Sequence, residues 1–306
     1  MLLLNEIYFM TMSNNIVILC PSWEERSYLG FEQDVEDINI NKVVVIKKEY
    51  PINGTEISES ICKIGGVCEQ NDIAYEELLW NESPLKNVQG LNSSLRQFDE
   101  NDIIYMDITT MPRDIIWTLL FFLNHCPNHV YIRYYQPESY SSTWLSKEPY
   151  SPRLLLKHSG IIELGKPLCV VIVTGFDIER IRQMVSKFEP QKVVLCVQKG
   201  LQFDNGNRNR LNQHELVCRS TGVSDVSSIE IDCYGKDFGK NTIESVISTL
   251  SDYNIIVSSF GPKPSAIGVY MAYQKHQEIA LCYVPCKEYN KDYCKGIGGL
   301  YTIAYK

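Results

Sequence analysis

The sequence predicts an α/β protein made of two tandem Rossmann-like halves, each a parallel sheet wrapped in helices, related by an internal duplication. Three observations predict this. Short aliphatic runs such as Ile16-Val17-Ile18-Leu19, Val43-Val44-Val45-Ile46 and Val170-Val171-Ile172-Val173 have the pattern of parallel strands buried on both faces. These runs alternate with helical segments, the signature of β-α-β units. Four stretches also recur in the same order, roughly 150 residues apart.

The first recurrence sets Ile16 to Arg26 against Val170 to Arg180, with Glu25-Arg26 on Glu179-Arg180. The second sets Val43 to Ile46 against Val193 to Cys196. The third pairs two strand-loop-helix stretches, DIIYMDITTMPRDIIWTLLFFL from Asp102 and YNIIVSSFGPKPSAIGVYMAY from Tyr253. The fourth sets YYQPESY from Tyr134 against YVPCKEY from Tyr283. A chain of 306 residues fits two domains of about 150 each. The expected division is 1–145 and 146–306.

In order, the first strand at Ile16 is followed by the loop Cys20 to Ser27 and a helix to about Asp37. The second strand is Val43 to Ile46, and residues Pro51 to Gly54 turn. Asn87 to Phe98 reads as a helix leading to the strand Ile103 to Ile108. After the loop Thr109 to Arg113, Asp114 to Asn124 is an apolar helix, and Val130 to Tyr135 is a strand. Ser139 to Pro167 holds three prolines and Gly160, and reads as a connection with short strands of its own. The second half runs from the strand at Val170 through the loop Thr174 to Asp177 and the helix Ile178 to Phe188. Then come the strand Val193 to Val197, the polar loop Phe203 to Arg210 and the strand Ile229 to Asp232. A helix Asn241 to Leu250 precedes the strand at Ile255, its loop and its helix. The strand Ile279 to Val284 and a last strand Leu300 to Tyr305 close the chain.

Composition narrows the function. A net charge of −8 argues against broad, nonspecific nucleic-acid binding but leaves room for a small basic pocket. Eleven cysteines, several inside apolar runs, read as free buried thiols of a cytoplasmic protein. Cys282, Cys286 and Cys294 lack a second close pair, so a zinc site is disfavoured. No apolar run reaches the ~20 residues that span a membrane. Met1 to Met12 is apolar without a positive leading region, and Met10 or Met12 is an alternative start. No phosphate-loop, dinucleotide, nucleophile-elbow or zinc-protease motif occurs, so no cofactor and no reaction is named.

Ligands of open parallel sheets bind beyond the carboxyl ends of the strands. The candidate loops are therefore Cys20 to Ser27, Thr109 to Arg113, Thr174 to Glu179 and Ser258 to Pro264, and a pseudo-twofold would turn them to one crevice. Lys263, on an exposed loop at a helix start, and Arg113 are candidate anion contacts. Gly261 permits close backbone approach. Arg26 and Arg180 open helices and either reach the crevice or pair with glutamates on solvated faces; Glu25 and Glu179 stand beside them. Asp107 positions a hydroxyl, acts as a base or caps the next helix. Thr109, Thr174 and Ser259, the counterpart of Asp107, complete the set. Trp23 either stacks on a base or is buried against its helix. His125, His129, His158, His214 and His276 read as structural or surface residues.

On Ser258-Ser259-Phe260-Gly261-Pro262-Lys263 and Asp107-Ile108-Thr109-Thr110-Met111-Pro112-Arg113 the sequence resembles the CARF family, the CRISPR-associated Rossmann-fold sensors, and the related SAVED domains. The resemblance covers about a quarter of the chain. The family's Gly-Thr-Lys-like pattern is interrupted here by Pro262 and Pro264, and Met111 takes the lysine's place in the first half. The resemblance implies two CARF-like halves holding a nucleotide or cyclic oligonucleotide between them, and a signal passed to a separate effector protein in antiphage defence. It leaves open a homo-oligomer, a scaffold with an empty crevice, and an enzyme using Glu24, Glu25, Asp107, Arg113 and Lys263.

Overall fold

The computed structural model describes residues 13–50, 52–198 and 208–306. Met1 to Met12, Pro51 and the first part of the polar loop, 203–207, lie outside the described residues.

The first half runs β1 (Asn15–Leu19), α1 (Arg26–Asp37), β2 (Lys42–Lys48), α2 (Gly54–Gln70), β3 (Ala74–Trp80), α3 (Pro84–Leu95), β4 (Ile103–Asp107), α4 (Arg113–Leu123) and β5 (His129–Tyr135). A connection carries β6 (Ser139–Tyr140), β7 (Ser146–Pro149) and β8 (Arg153–Leu154). The second half runs β9 (Leu168–Val173), α5 (Ile178–Phe188), β10 (Lys192–Gln198), α6 (Leu211–Ser220), β11 (Asp225–Ile231), α7 (Lys240–Ser248), β12 (Asn254–Ser259), α8 (Pro264–Lys275) and β13 (Ala280–Tyr283). The tail carries β14 (Cys286–Tyr289), β15 (Cys294–Lys295) and β16 (Leu300–Ala304).

The two sheets have one topology. The parallel strands are ordered β5-β4-β1-β2-β3 in the first and β13-β12-β9-β10-β11 in the second. Each gains an antiparallel sixth strand from the other half's connection: β16 pairs β5, and β8 pairs β13. The short strands exchange in the same sense, with β6 on β15 and β7 on β14. The last strand of the chain thus completes the first sheet, and the two halves are stitched together by reciprocal arms.

Two-residue periodicity explains the layering. Val17 and Leu19 pack outward with Phe31 of α1 and Ile64 of α2, while Ile16 and Ile18 pack inward. In the second half Val170 and Ile172 face α5 and α6, and Val171 and Val173 face inward. The inner faces share one core, in which α4 and α8 meet. Trp117 of α4 is fully buried there and donates from Nε1 to the Ala266 carbonyl of α8 at 2.8 Å. A helix buried between two sheets is apolar nearly all round, which is why α4 reads as almost continuously hydrophobic.

The elements not read from the sequence include β3, α2 and α6. β3 is an edge strand with exposed Tyr75 and Leu79, so it lacks the aliphatic run of the central strands. α2 carries Gly65-Gly66 in its interior. The eleven cysteines are all free in the structure.

Gly268 fixes the fit of α8 on the start of α7, because a Cβ there would lie 2.0 Å from the Phe238 carbonyl oxygen. Gly268→Ala is expected to cost about 1–3 kcal/mol or more by overpacking. Gly90→Ala in α3, with nothing within 4 Å, is expected to gain up to ~1 kcal/mol. Urea unfolding midpoints that moved the same way for both would contradict this packing.

The buried histidines make a second prediction. His158 packs on the rings of Phe121, Tyr270 and Tyr273, its Nδ1 3.1 Å from the Leu156 carbonyl. Burial pushes His158 and His214 each down to about 4. Folded, both stay neutral; unfolded, both take up a proton below about 6.5. Stability should therefore fall as pH drops from 6.5 towards 4, by on the order of 2 kcal/mol per ring at pH 5. Thermal melting at pH 7 and 5 measures the loss, and His158→Gln should show a smaller one.

Candidate functional site between the halves

In each sheet the strand order reverses at the central strand, between β1 and β4 and between β9 and β12, and the loops beyond those strands are where ligands of such sheets bind. In this protein the two sets of loops face each other across one cavity, with about 1040 Å³ of empty space including its open mouth. Gly175 lets the β9 and β12 loops touch there, since a Cβ would lie 1.9 Å from the Phe260 carbonyl oxygen.

Arg113 and Lys263 stand on the cavity wall where α4 and α8 begin. Each reaches into the opposite half. Arg113 donates to the Gly261 carbonyl, and Lys263 donates to the Met111 carbonyl. Lys263 is thus half-buried and tied down, a correction to the exposed loop lysine expected from sequence. Among the described residues neither cation has a carboxylate within ion-pair distance, and Arg113 Nε is buried without a partner. Burial, then Arg113, pulls Lys263 down to about 7. Burial, then Arg180, pulls Arg113 down to about 10. Both shifts follow from burial and crowded positive charge, which the more distant Glu24 only partly offsets at Lys263.

Arg26 and Arg180 also line the cavity, but each is paired. Arg26 binds Glu24 and donates to the Tyr135 carbonyl at 2.8 Å. Arg180 binds Asp177 at 3.1 Å and reaches the Tyr289 hydroxyl at 3.2 Å. Both arginines are buried, so the solvated helix face suggested by their spacing is not where they sit. Burial opposes their charge, but Glu24 on one side and Tyr289 with Asp177 on the other hold both guanidinia well above their ordinary range.

The aromatic walls come from loop and arm together. Trp23 lies 4.9 Å from Tyr289 and 5.2 Å from Tyr50, ring to ring. Opposite, Phe176 lies 6.4 Å from Tyr140 and 6.3 Å from Tyr293. Each cluster joins a loop of one half to the arm that leaves the other half's last parallel strand.

The structure therefore brings Arg26, Arg113, Thr174, Arg180, Gly261 and Lys263 together around one cavity. Trp23 and Glu24 line it too, while Asp107, Thr109, Ser259, Glu25 and Glu179 are committed to other bonds. Asp107 is buried and accepts the Thr109 amide at 2.7 Å; burial pushes it up. Thr109 accepts the Tyr135 amide at 2.9 Å. Ser259 is bonded to Ser265 at 2.5 Å. Glu25 accepts the Gly296 amide at 2.5 Å, and exposed Glu179 pairs with Arg182 at 3.2 Å. The tyrosines and Asp177 were not singled out from the sequence. The only signal for Tyr140 and Tyr289 was the match of YYQPESY to YVPCKEY, which marks equivalence but not a shared wall. His214 bonds Asn209, which is on the cavity wall, at 2.7 Å. No group of three potential metal ligands occurs among the described residues, and no helix there is long and apolar enough to cross a membrane.

No family model matches the sequence, and no curated protein matches it. Among solved structures the chain is similar to a type III CRISPR defence DNA nuclease activated by cyclic oligoadenylate, with a TM-score of 0.53 and 10% identity. That match covers 84% of this chain and 64% of the nuclease chain, so this chain spans under two thirds of its length. The likeness shows the fold. The chain also matches a solute-binding protein from Bacillus halodurans C-125 with bound myo-inositol, at TM-score 0.25, 9% identity and coverage of 87% and 72%. A periplasmic ribose transporter protein from Conexibacter woesei matches at TM-score 0.26, 10% identity and coverage of 86% and 69%.

Lys263 makes the electrostatics testable. A lysine at about 7 is largely neutral in the empty protein above that pH, and an anion on it favours the charged form. Anion binding at pH 8 should therefore take up a proton, and affinity should fall as pH rises through 7. Calorimetry in two buffers of different ionisation heat measures the uptake. Equal heats in both would show that Lys263 is already charged.

Proposed function

We propose that this protein is a nucleotide sensor of a defence system, holding a phosphate-bearing ligand, of which a cyclic oligonucleotide is the best fit, in the cavity between two CARF-like halves. The observation that carries the reading is the pair Arg113 and Lys263, two cations without a carboxylate at the meeting point of two helix N-termini, between two aromatic clusters. Unpaired cations and helix starts favour phosphate. Aromatic faces accept bases of any identity. The common strand order of the sheets supports an internal duplication and suits a ligand of twofold character. The fold shared with a cyclic-oligoadenylate-activated nuclease agrees with this reading. The signal passes to a separate effector protein in the cytoplasm. A second reading, an enzyme acting on the same ligand, is favoured by one observation: Lys263, held near 7, is partly a free amine able to take a proton.

Titration with cyclic tri-, tetra- and hexa-adenylate against linear oligoadenylate tests the proposal. Lys263→Gln and Arg113→Gln keep a donor for the carbonyls they now hold and remove the charge. A lost charge-assisted contact is worth roughly 1.5–3 kcal/mol, so each variant should bind about ten- to a hundredfold more weakly with an unchanged melting temperature. Unchanged affinity in both variants would sink the proposal, as would a failure of every cyclic ligand to bind. Cleavage of the bound ring, read by chromatography, would establish the second reading.

A further inference from the structure

The exchanged arms are held down at the cavity by acid–arginine pairs. On one side Asp177, paired with Arg180, accepts the Ser146 hydroxyl of β7, and Arg180 itself reaches Ser146 at 3.3 Å and Cys286 of β14 at 3.0 Å. On the other, Glu24, paired with Arg26, accepts the Cys294 thiol of β15 at 2.8 Å, and neighbouring Glu25 accepts the Gly296 amide. β7 and β15 occupy equivalent places in the exchange. The same device therefore appears twice: a guanidinium on the cavity wall, its carboxylate, and a hydroxyl or thiol of an arm bonded to that carboxylate. The arms are also held by pairing with each other, β7 on β14 and β6 on β15, and by ion pairs of Lys291 with Glu56 at 3.0 Å and Arg153 with Asp114 at 2.9 Å. Arg208 donates to the carbonyls of Ser141 and Thr143, and Asn53 donates to that of Tyr289 at 3.1 Å.

We infer that the exchanged arms are the moving part of this protein, each latched by an acid–arginine pair whose guanidinium faces the cavity, and that an anion drawn to Arg26 or Arg180 unlatches the arm. A guanidinium shares its fork of donors between competing anions. An anion in the cavity that takes the fork leaves Glu24 or Asp177 buried without its counter-ion. A stranded buried charge is strongly unfavourable, and it is relieved when the carboxylate turns outward and releases the arm. Occupancy of the cavity is thereby converted into movement of β6–β7 and β14–β15, segments that also form parts of its aromatic walls. The inference rests on the proposed function only for the identity of the anion.

Hydrogen exchange on the full chain tests the latch with and without a ligand. Asp177→Asn keeps a side chain able to cap α5, whose Arg180 amide Asp177 now accepts, so the helix is retained. Ser146→Ala removes the arm's half of the bond and leaves every charge in place. Both variants, without ligand, should exchange the amides of residues 139–149 about tenfold faster than the unaltered protein, while β9 to β12 exchange as before. Inorganic pyrophosphate and cyclic tetra-adenylate, each added to the unaltered protein, should produce the same acceleration in 139–149 and 286–295. Arm exchange at the unaltered rate in both variants would overturn the latch, and so would a failure of both anions to accelerate it. Acceleration by pyrophosphate alone would keep the latch and reject the nucleotide.

Discussion

The packing of α4 against α8 governs the site, because the loops that supply Arg113 and Lys263 are the starts of those two helices. Trp117 is buried at the join and spends its one donor on the Ala266 carbonyl across it. Gly268 brings the start of α7 against α8. With both helices held, the four loops beyond β1, β4, β9 and β12 converge from two sides. A single sheet of this kind offers a shallow crevice at its switch point. Two of them face to face enclose a cavity.

Enclosure changes the chemistry of ordinary residues. A lysine and an arginine at helix starts on an open surface would be well hydrated. In the cavity they lose water, lie beside further cations and have no carboxylate within ion-pair distance, so both are pulled down from their usual range. Arg26 and Arg180 occupy the same cavity and move the other way, because each has its acid beside it. The site thus contains two kinds of cation, one free to take an anion and one already committed to a carboxylate.

The arms complete the arrangement. Each half sends its last segment across to the other, where it adds an antiparallel strand and a tyrosine beside the opposite loop. Without this exchange Trp23 would keep only Tyr50 beside it, and Phe176 would lose Tyr140. The join is therefore held by core packing between α4 and α8, by strand pairing at the rims, and by the bonds of Arg113 and Lys263 across the cavity.

The sequence by itself determined the fold class, since continuous aliphatic runs alternating with helical periods have few solutions other than parallel sheets covered on both faces. It also fixed Arg113, Lys263 and Gly261 as loop residues at equivalent strand ends. The edge strand β3 was hidden because exposed Tyr75 and Leu79 give it no buried run. Asp107, Thr109 and Ser259 carry the right chemistry at the right strand ends, yet each is consumed by a structural hydrogen bond, Asp107 and Ser259 within their own loops and Thr109 to the end of β5. Tertiary structure alone decided that the last strand crosses to the first sheet. It alone decided that Arg26 and Arg180 are buried pairs, and that tyrosines from distant arms stand beside Trp23 and Phe176. Those outcomes depend on contacts between residues far apart in the chain, such as β16 with β5, Arg26 with Tyr135, Arg180 with Tyr289 and Trp23 with Tyr289, and such contacts leave no periodicity in the chain that makes them.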